Sequence, residues 1–380
     1  MHSRIFLAVV VCAIAVVATM IATRQNVEAG ETLSASGYKV LEPIRHGNLT
    51  VFPVVAAKSY STEEFLTLDE GLRSGDVVVT EYGNVRGLVR RHPIPAVQRD
   101  SAEVNRLVLI NNAKRPLLLL AGEIVTGGKQ DRVIGKDRIV PAESDPIDLG
   151  VFCVEPGRWV ATSAQFNTSR TTYGSTNGAA VGGPVMAQPS VRAKVMADKD
   201  QNQVWAEVRK QQAQISESLE VSAAPPTVAE VAGTTSYARV MENDEVKKRV
   251  NEIAAPIEHN YQNLIGELRD RNAVGVVVAV NGRIIWADVF ASKDLLAKYW
   301  PKLVRSYASE AIVSHAKDSD ITAKEAQAFF ENMDGRRETI ESEPGIYRHT
   351  EISGDGFRAF ALTSLLPKTG FDLHVAKMAE

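Results

Sequence analysis

The chain is short of the residues that usually announce a mechanism. It has two cysteines in 380 residues, Cys12 and Cys153. Cys12 lies inside an N-terminal apolar run, so a disulfide framework is excluded. Cys153 sits in the apolar stretch Val151-Phe152-Cys153-Val154 and reads as a buried strand thiol. An excess of either charge is also missing. Lys plus Arg is 43 and Asp plus Glu is 46, a net charge of −3. That argues against general nucleic-acid coating while leaving room for a local basic site. His46, His92, His259, His315, His349 and His374 never pair at ligand spacing, and no cysteine pair supports them. No metal or cofactor is therefore expected. There is no Gly-x-Ser-x-Gly elbow. Gly122 to Lys129 imitates a phosphate loop, but five residues separate Gly122 from Gly128, and Gln130 stands where Ser or Thr would hold the metal. Gly354-Asp355-Gly356-Phe357 imitates a dinucleotide fingerprint, yet strand-like sequence follows it, so it reads as a hairpin turn.

Long apolar runs are scarce too, with one exception. Ile5 to Ala22 is 18 residues without a charge, preceded by Arg4 and followed by Val27-Glu28-Ala29. Residues 1–29 read as a cleaved export signal or as a retained N-terminal anchor, since the run is just long enough to span a bilayer. Either way an extracytoplasmic location is expected, with membrane contact only through residues 5–22. Later apolar runs, such as Leu117–Ala121 and Val274–Val280, are strand-sized.

What is present has the pattern of an α+β protein. Residues 36–165 read as a β-rich domain, sandwich or barrel-like, from short strands separated by Gly and Asn turns. Val85–Arg91 and Arg158–Ser163 are among the expected strands. Thr67-x-x-Glu70 is a capping box whose helix stops at Ser74-Gly75. Residues 166–195 are dense in Ser, Thr and Gly and read as a flexible loop. Residues 196–380 read as an α+β portion that could share a core with the first. There, Asp200–Glu220 is a helix ended by Ala224-Pro225-Pro226, and Asp244–Arg271 is a second helix. Asn281-Gly282 calls for a type I′ hairpin. Ser292 caps a helix, and Thr322-x-x-Glu325 is a second capping box.

One polar constellation stands out. Gly127-Gly128 fits a two-residue turn, which would set Glu123 opposite Arg132 and Val125 opposite Gln130. Twenty-odd residues on, Glu155-Pro156-Gly157-Arg158-Trp159 has the Pro-Gly centre of a type II turn, bringing Glu155 to Arg158 beside an aromatic ring. Three readings follow. Both pairs could be structural. Arg132 and Arg158 could fork onto a carboxylate or phosphate, with Gln130 orienting it and Trp159 stacking on a ring. Or Glu123 and Glu155 could act as acid and base in hydrolysis.

The residues Glu123-x-x-x-Gly127-Gly128-Lys129-Gln130-x-Arg132, Asp137-Arg138-Ile139-Val140-Pro141 and Cys153-Val154-Glu155-x-Gly157-Arg158-Trp159 resemble the ARG and rhodanese-phosphatase-superfamily-associated protein domain, a prokaryotic family. Gly275–Gly282 and Lys302-Leu303-Val304-Arg305-Ser306-Tyr307 resemble it as well. The family name implies genomic association with ADP-ribose and phosphate chemistry, and no defined activity. The expectation is an exported, non-enzymatic binding or scaffold module for an anionic or sugar-like small molecule. The alternative is a hydrolase of an anionic sugar, ADP-ribose-like or phosphoester substrate using Glu123 and Glu155.

Overall fold

The Asn-Gly hairpin read from the sequence is the seed of the largest sheet. The computed structural model describes residues 37–82, 84–85, 87–90, 102–168, 185–220, 223–268, 271–314 and 320–380. The export or anchor segment 1–29 and residues 169–184 of the expected loop lie outside them. Asn281 and Gly282 take φ of 51° and 68°, as a type I′ turn requires. They join the strands Asn272–Val280 and Arg283–Phe290. Seven further strands complete an antiparallel sheet of nine. Leu49–Ala56 lies on one side, with Tyr38–Val40 and Ile44–His46 beyond it. On the other side come Asp372–Ala379, Phe357–Ser364, Tyr347–Gly354 and Gly335–Glu343 in that order.

Both faces of the central hairpin are covered. Val276, Val278 and Val280 pack in the cluster that holds Leu295, Leu296, Leu303 and Tyr307 of the helix Lys293–Ile312. Val277 and Ala279 face the other way, onto Ala326 and Phe330 of the helix Ala323–Glu331. This is the period-2 alternation of a strand buried on both sides. Ser292 and Thr322 cap these two helices, and Glu325 completes the second capping box. The turn after Gly354 is a hairpin, with Gly356 at φ 70°.

The remaining strands form a nearly closed, barrel-like unit. Six of them run in the order Phe166–Asn167, Ile124–Gly127, Arg132–Ile134, Ile147–Cys153, Arg106–Asn111, Val77–Glu81. A bridge between Thr80 and Gln165 draws the two edges together, and the Thr80 hydroxyl donates to the Ala164 carbonyl at 2.9 Å. Three short strands, Leu66–Thr67, Leu117–Leu119 and Arg138–Val140, pair beside it. Residues 35–380 form one compact unit, and its main apolar cluster draws on both β assemblies.

Four local readings differ. Residues 87–90 turn instead of extending, because Gly87 takes φ 74° and tucks Val89 against Val78 and Ile110. Residues 158–164 are irregular, pinned by Arg158 as described below. In the stretch expected as a loop, Phe166–Asn167 forms a short strand and Pro189–Ala193 a buried helical turn. Pro225 and Pro226 open a helix, Pro225–Gly233, since a proline at the first helical position loses no hydrogen bond. Among the described residues, no helix is long and apolar enough to cross a membrane.

Replacing Gly282 by Ala puts a Cβ at positive φ and should cost about 1–2 kcal/mol. A urea melt that shows no loss would mean the hairpin does not depend on this turn.

Candidate functional site

The chemistry-bearing side chains collect around the segment 120–158, where the barrel-like unit meets the nine-stranded sheet. Leu120 to Glu123 makes a tight turn in which Gly122 takes φ 95°. A Cβ there would lie 2.6 Å from Arg192 Cγ, so glycine lets the arginine stem cross the turn. Glu123 closes the turn by accepting the Leu120 N–H at 2.7 Å. Its other oxygen pairs with Lys302, whose ammonium lies 2.6 Å from Asp69 Oδ2. All three are buried or nearly so. Burial, then Asp69, push the Glu123 carboxyl up against the pull of Lys302. Burial disfavours the Lys302 charge, but the two acids outweigh it and raise its pKa.

A second group lies behind the same turn. Arg192 forks onto Asp288 at 2.8 and 2.9 Å. His374 bridges Asp288 (Nε2, 3.1 Å) and Asp137 (Nδ1, 2.6 Å). The Tyr307 hydroxyl also reaches Asp288, and Asp137 accepts the Ala121 N–H at 2.7 Å. Arg192 lies over the Trp286 ring, 4.4 Å from its centre. Arg192, Asp288, His374 and Asp137 are each no more than 1% exposed. Two carboxylates against a guanidinium and an imidazolium make a charge-balanced chain, which is how a buried ionic group survives desolvation. Burial works against the His374 charge, yet Asp137 and Asp288 push it up to about 9. Burial would raise Asp288, but Arg192 and His374 hold it far below the carboxylate range.

The sequence-derived candidates divide. Glu155 and Arg158 meet across their turn at 2.5 Å, with Gly157 at φ 99°. Asp131 joins them: its N–H donates to Glu155 at 3.0 Å, and its carboxylate accepts from Ser236 (2.7 Å) and the Gly127 N–H (3.1 Å). Gln130 donates to the Glu155 carbonyl at 3.1 Å. Arg158 also donates to the carbonyls of Gly128 (2.9 Å) and Val160 (2.7 Å), tying two loops together. Trp159 is 44% exposed, with the Lys129 ammonium 5.4 Å from its ring centre.

Glu123 and Arg132 are not partners. Val125 pairs with Arg132 and Ile124 with Val133, so the hairpin register is shifted by two from the expected one. Glu123 then stands opposite Ile134, whose N–H donates to the Glu123 carbonyl at 2.8 Å. The cause is side-chain capping of the loop: Asp131 takes the Gly127 N–H, and Glu81 takes the Lys129 N–H at 2.7 Å. Arg132 is fully buried, and its Nε and Nη1 have no hydrogen-bond partner among the described residues. Its Nη2 lies 3.5 Å from the Glu103 carbonyl, and burial pushes its pKa down. Cys153 is buried, and its thiol is pushed up for the same reason.

Beside these clusters lies an open pocket of about 440 Å³. Val151, Phe152, Met196, Ile340 and Phe360 give it apolar walls, and Lys136, Lys199, His349 and Glu351 supply its polar groups. Lys199 pairs with Glu351, and His349 Nδ1 is 3.9 Å from the same carboxylate. His349 is 95% buried and its Nε2 has no hydrogen-bond partner among the described residues. Burial pushes its pKa down, with Asp137 and Glu351 pulling the other way. Neither Glu123 nor Glu155 lines this pocket. Among the described residues, no group of three or more acids, histidines or cysteines is placed to hold a metal ion.

Sequence reading missed Asp137, Arg192, Asp288, His349 and His374. The signal was a lone polar residue at an inward strand position, as in Ala287-Asp288-Val289 and Leu373-His374-Val375. His349 and His374 share a row across the sheet, each paired to Leu362. Arg192→Met leaves Asp288 a half-compensated buried charge and should cost about 3–5 kcal/mol by denaturant melt. His374 makes stability pH-dependent. An unfolded histidine titrates near 6.5 and the folded one at about 9. Its contribution is therefore complete below the lower value and lost as pH rises through the upper one. The melting temperature of the wild type should fall over that window relative to His374→Gln. A flat difference would show that His374 is not charged.

Nothing among the curated proteins, and nothing among the solved structures, matches the chain. One family model does, the ARG and Rhodanese-Phosphatase-superfamily-associated Protein domain, over residues 37–376. That span takes in both β assemblies, all the charged clusters and the pocket. The chain belongs to that family.

Proposed function

We propose that the protein is a non-enzymatic binding module for a small anionic ligand, held in the pocket lined by Lys136, Lys199 and His349. The observation that carries this reading is an apolar-walled volume of about 440 Å³ lined also by two lysines and an imidazole. Ligand pockets typically combine a few convergent polar groups with apolar walls, in roughly 300–1,000 Å³. The hydrolase reading has less support. Glu123 and Glu155 are buried, and each is held by a cation and a backbone N–H. Arg158, the expected anion fork, is engaged by two carbonyls and two acids.

A thermal-shift panel of phosphates, nucleotides, acidic sugars and aromatic acids tests the reading. A ligand at 100 times its dissociation constant stabilises by about 2.7 kcal/mol. A hydrogen bond to a charged group contributes about 1.5–3 kcal/mol. The double variant Lys136→Ala, Lys199→Ala should therefore bind any hit at least about tenfold more weakly while folding normally. A hit that the double variant binds as well as wild type would move the ligand elsewhere. We also infer that the protein acts outside the cytoplasm, from the uncharged run Ile5–Ala22 and the small-residue site before Gly30. N-terminal sequencing of the secreted or membrane fraction should start near Gly30, or at Met1 if the segment is kept as an anchor. Recovery in the cytoplasmic fraction would sink the inference.

A further inference from the structure

The basic groups of the pocket already share an anion, and it belongs to the protein. Lys199 pairs with Glu351, and His349 Nδ1 lies 3.9 Å from the same carboxylate. The Glu351 charge also bears on Lys136. All four residues line the pocket. This step rests on the binding reading above and asks which ligand chemistry could take the place that Glu351 holds.

Two separate parts of the chain meet in the Lys199–Glu351 pair. Glu351 lies on Tyr347–Gly354, with Phe360 opposite it on one neighbouring strand and Glu338 opposite it on the other. Lys199 follows the single π-helical turn Lys194–Asp198 and takes a left-handed backbone, with φ 53°. Few residues other than glycine adopt that conformation, and π-helical turns are frequent at functional sites. The Lys199 N–H closes the turn by donating to the Lys194 carbonyl at 3.0 Å. The pair is open to water, because the Lys199 side chain is 51% exposed and that of Glu351 25%. An ion pair placed so is weak, and an anion from solvent can exchange into it.

The exchange sets the ligand class. Val151, Phe152, Met196, Ile340 and Phe360 call for an apolar body. The protein's own partner for Lys199 is a carboxylate with one charge. Glu338 stands directly opposite Glu351, and like charges facing each other across strands repel. A second negative charge on the ligand would add to that repulsion.

We infer that Glu351 is a built-in competitor for the anion position, and that the pocket takes a monocarboxylate on an apolar body, which reaches Lys199 by displacing Glu351. Glu351 thereby acts as a selectivity device. A neutral molecule can occupy the apolar part and leave the pair in place, whereas a dianion meets the acids at the rim.

Benzoate and its neutral amide, benzamide, form a matched pair of probes, with phenyl phosphate as the dianion. Their affinities for the full chain are measured by titration calorimetry. The readout is the preference for benzoate over benzamide, since a general disturbance of the pocket would move both. Glu351→Gln frees Lys199 and should raise that preference by about fivefold. Lys199→Met should lower it by at least about tenfold. An unchanged or lower preference in Glu351→Gln would overturn the competitor role. An unchanged preference in Lys199→Met would overturn Lys199 as the anion partner, and this variant decides the matter if Glu351→Gln fails to fold. Phenyl phosphate binding to wild type more tightly than benzoate would overturn the monocarboxylate class. If none of the three binds while another anion of the thermal-shift panel does, that class falls and the binding reading stands. If the panel is silent as well, the binding reading falls with it.

Discussion

The chain Arg192–Asp288–His374–Asp137 is the constraint around which the rest is arranged. Its members come from a short helix, two central strands and the segment leaving the barrel-like unit, so four pieces of chain must be in place at once. Desolvated ions are costly unless each has its partner. The network therefore penalises partial assembly more than apolar packing would. Gly122 belongs to the same constraint, since only an absent Cβ lets Arg192 cross the turn that also positions Glu123 and offers the Ala121 N–H to Asp137.

This arrangement gives the polar residues of the segment 120–158 distinct jobs. Glu123, Asp131, Glu155 and Arg158 hold turns and loops. His349, whose Nε2 has no hydrogen-bond partner among the described residues, lines the pocket. Were the pocket to hold the proposed ligand, walls built partly on strands would reduce the ordering cost of binding. The family model matches residues 37–376.

Much of the local fold was legible in the sequence, because the deciding interactions lie within four residues. Asn281-Gly282, Thr67 with Glu70, Ser292, and Thr322 with Glu325 all do what their spacing implies. The Glu155–Arg158 clasp was legible for the same reason. Glu123 was not, because its partner Lys302 is 179 positions away. Register hid the Arg132 environment, since the loop is held by Asp131 and Glu81 side chains that no turn rule includes. In the sequence His349 and His374 stand as isolated histidines. Sheet pairing, which sequence spacing does not encode, sets them in one row. The residues that carried the family resemblance turn out to be informative in a different way: Asp137, Lys302 and Tyr307 all sit in the buried ionic groups.

The last strand has a consequence for how the protein can be made. Asp372–Ala379 is inserted between Arg283–Phe290 and Phe357–Ser364, in the interior of the nine-stranded sheet, and it brings His374. Without that strand, Arg283–Phe290 and Phe357–Ser364 would each lose a pairing edge, and Asp288 and Asp137 would lose the cation they share. Domains usually fold as units while the chain grows. Here the sheet cannot close until Asp372–Ala379 is available to fill the position between Arg283–Phe290 and Phe357–Ser364.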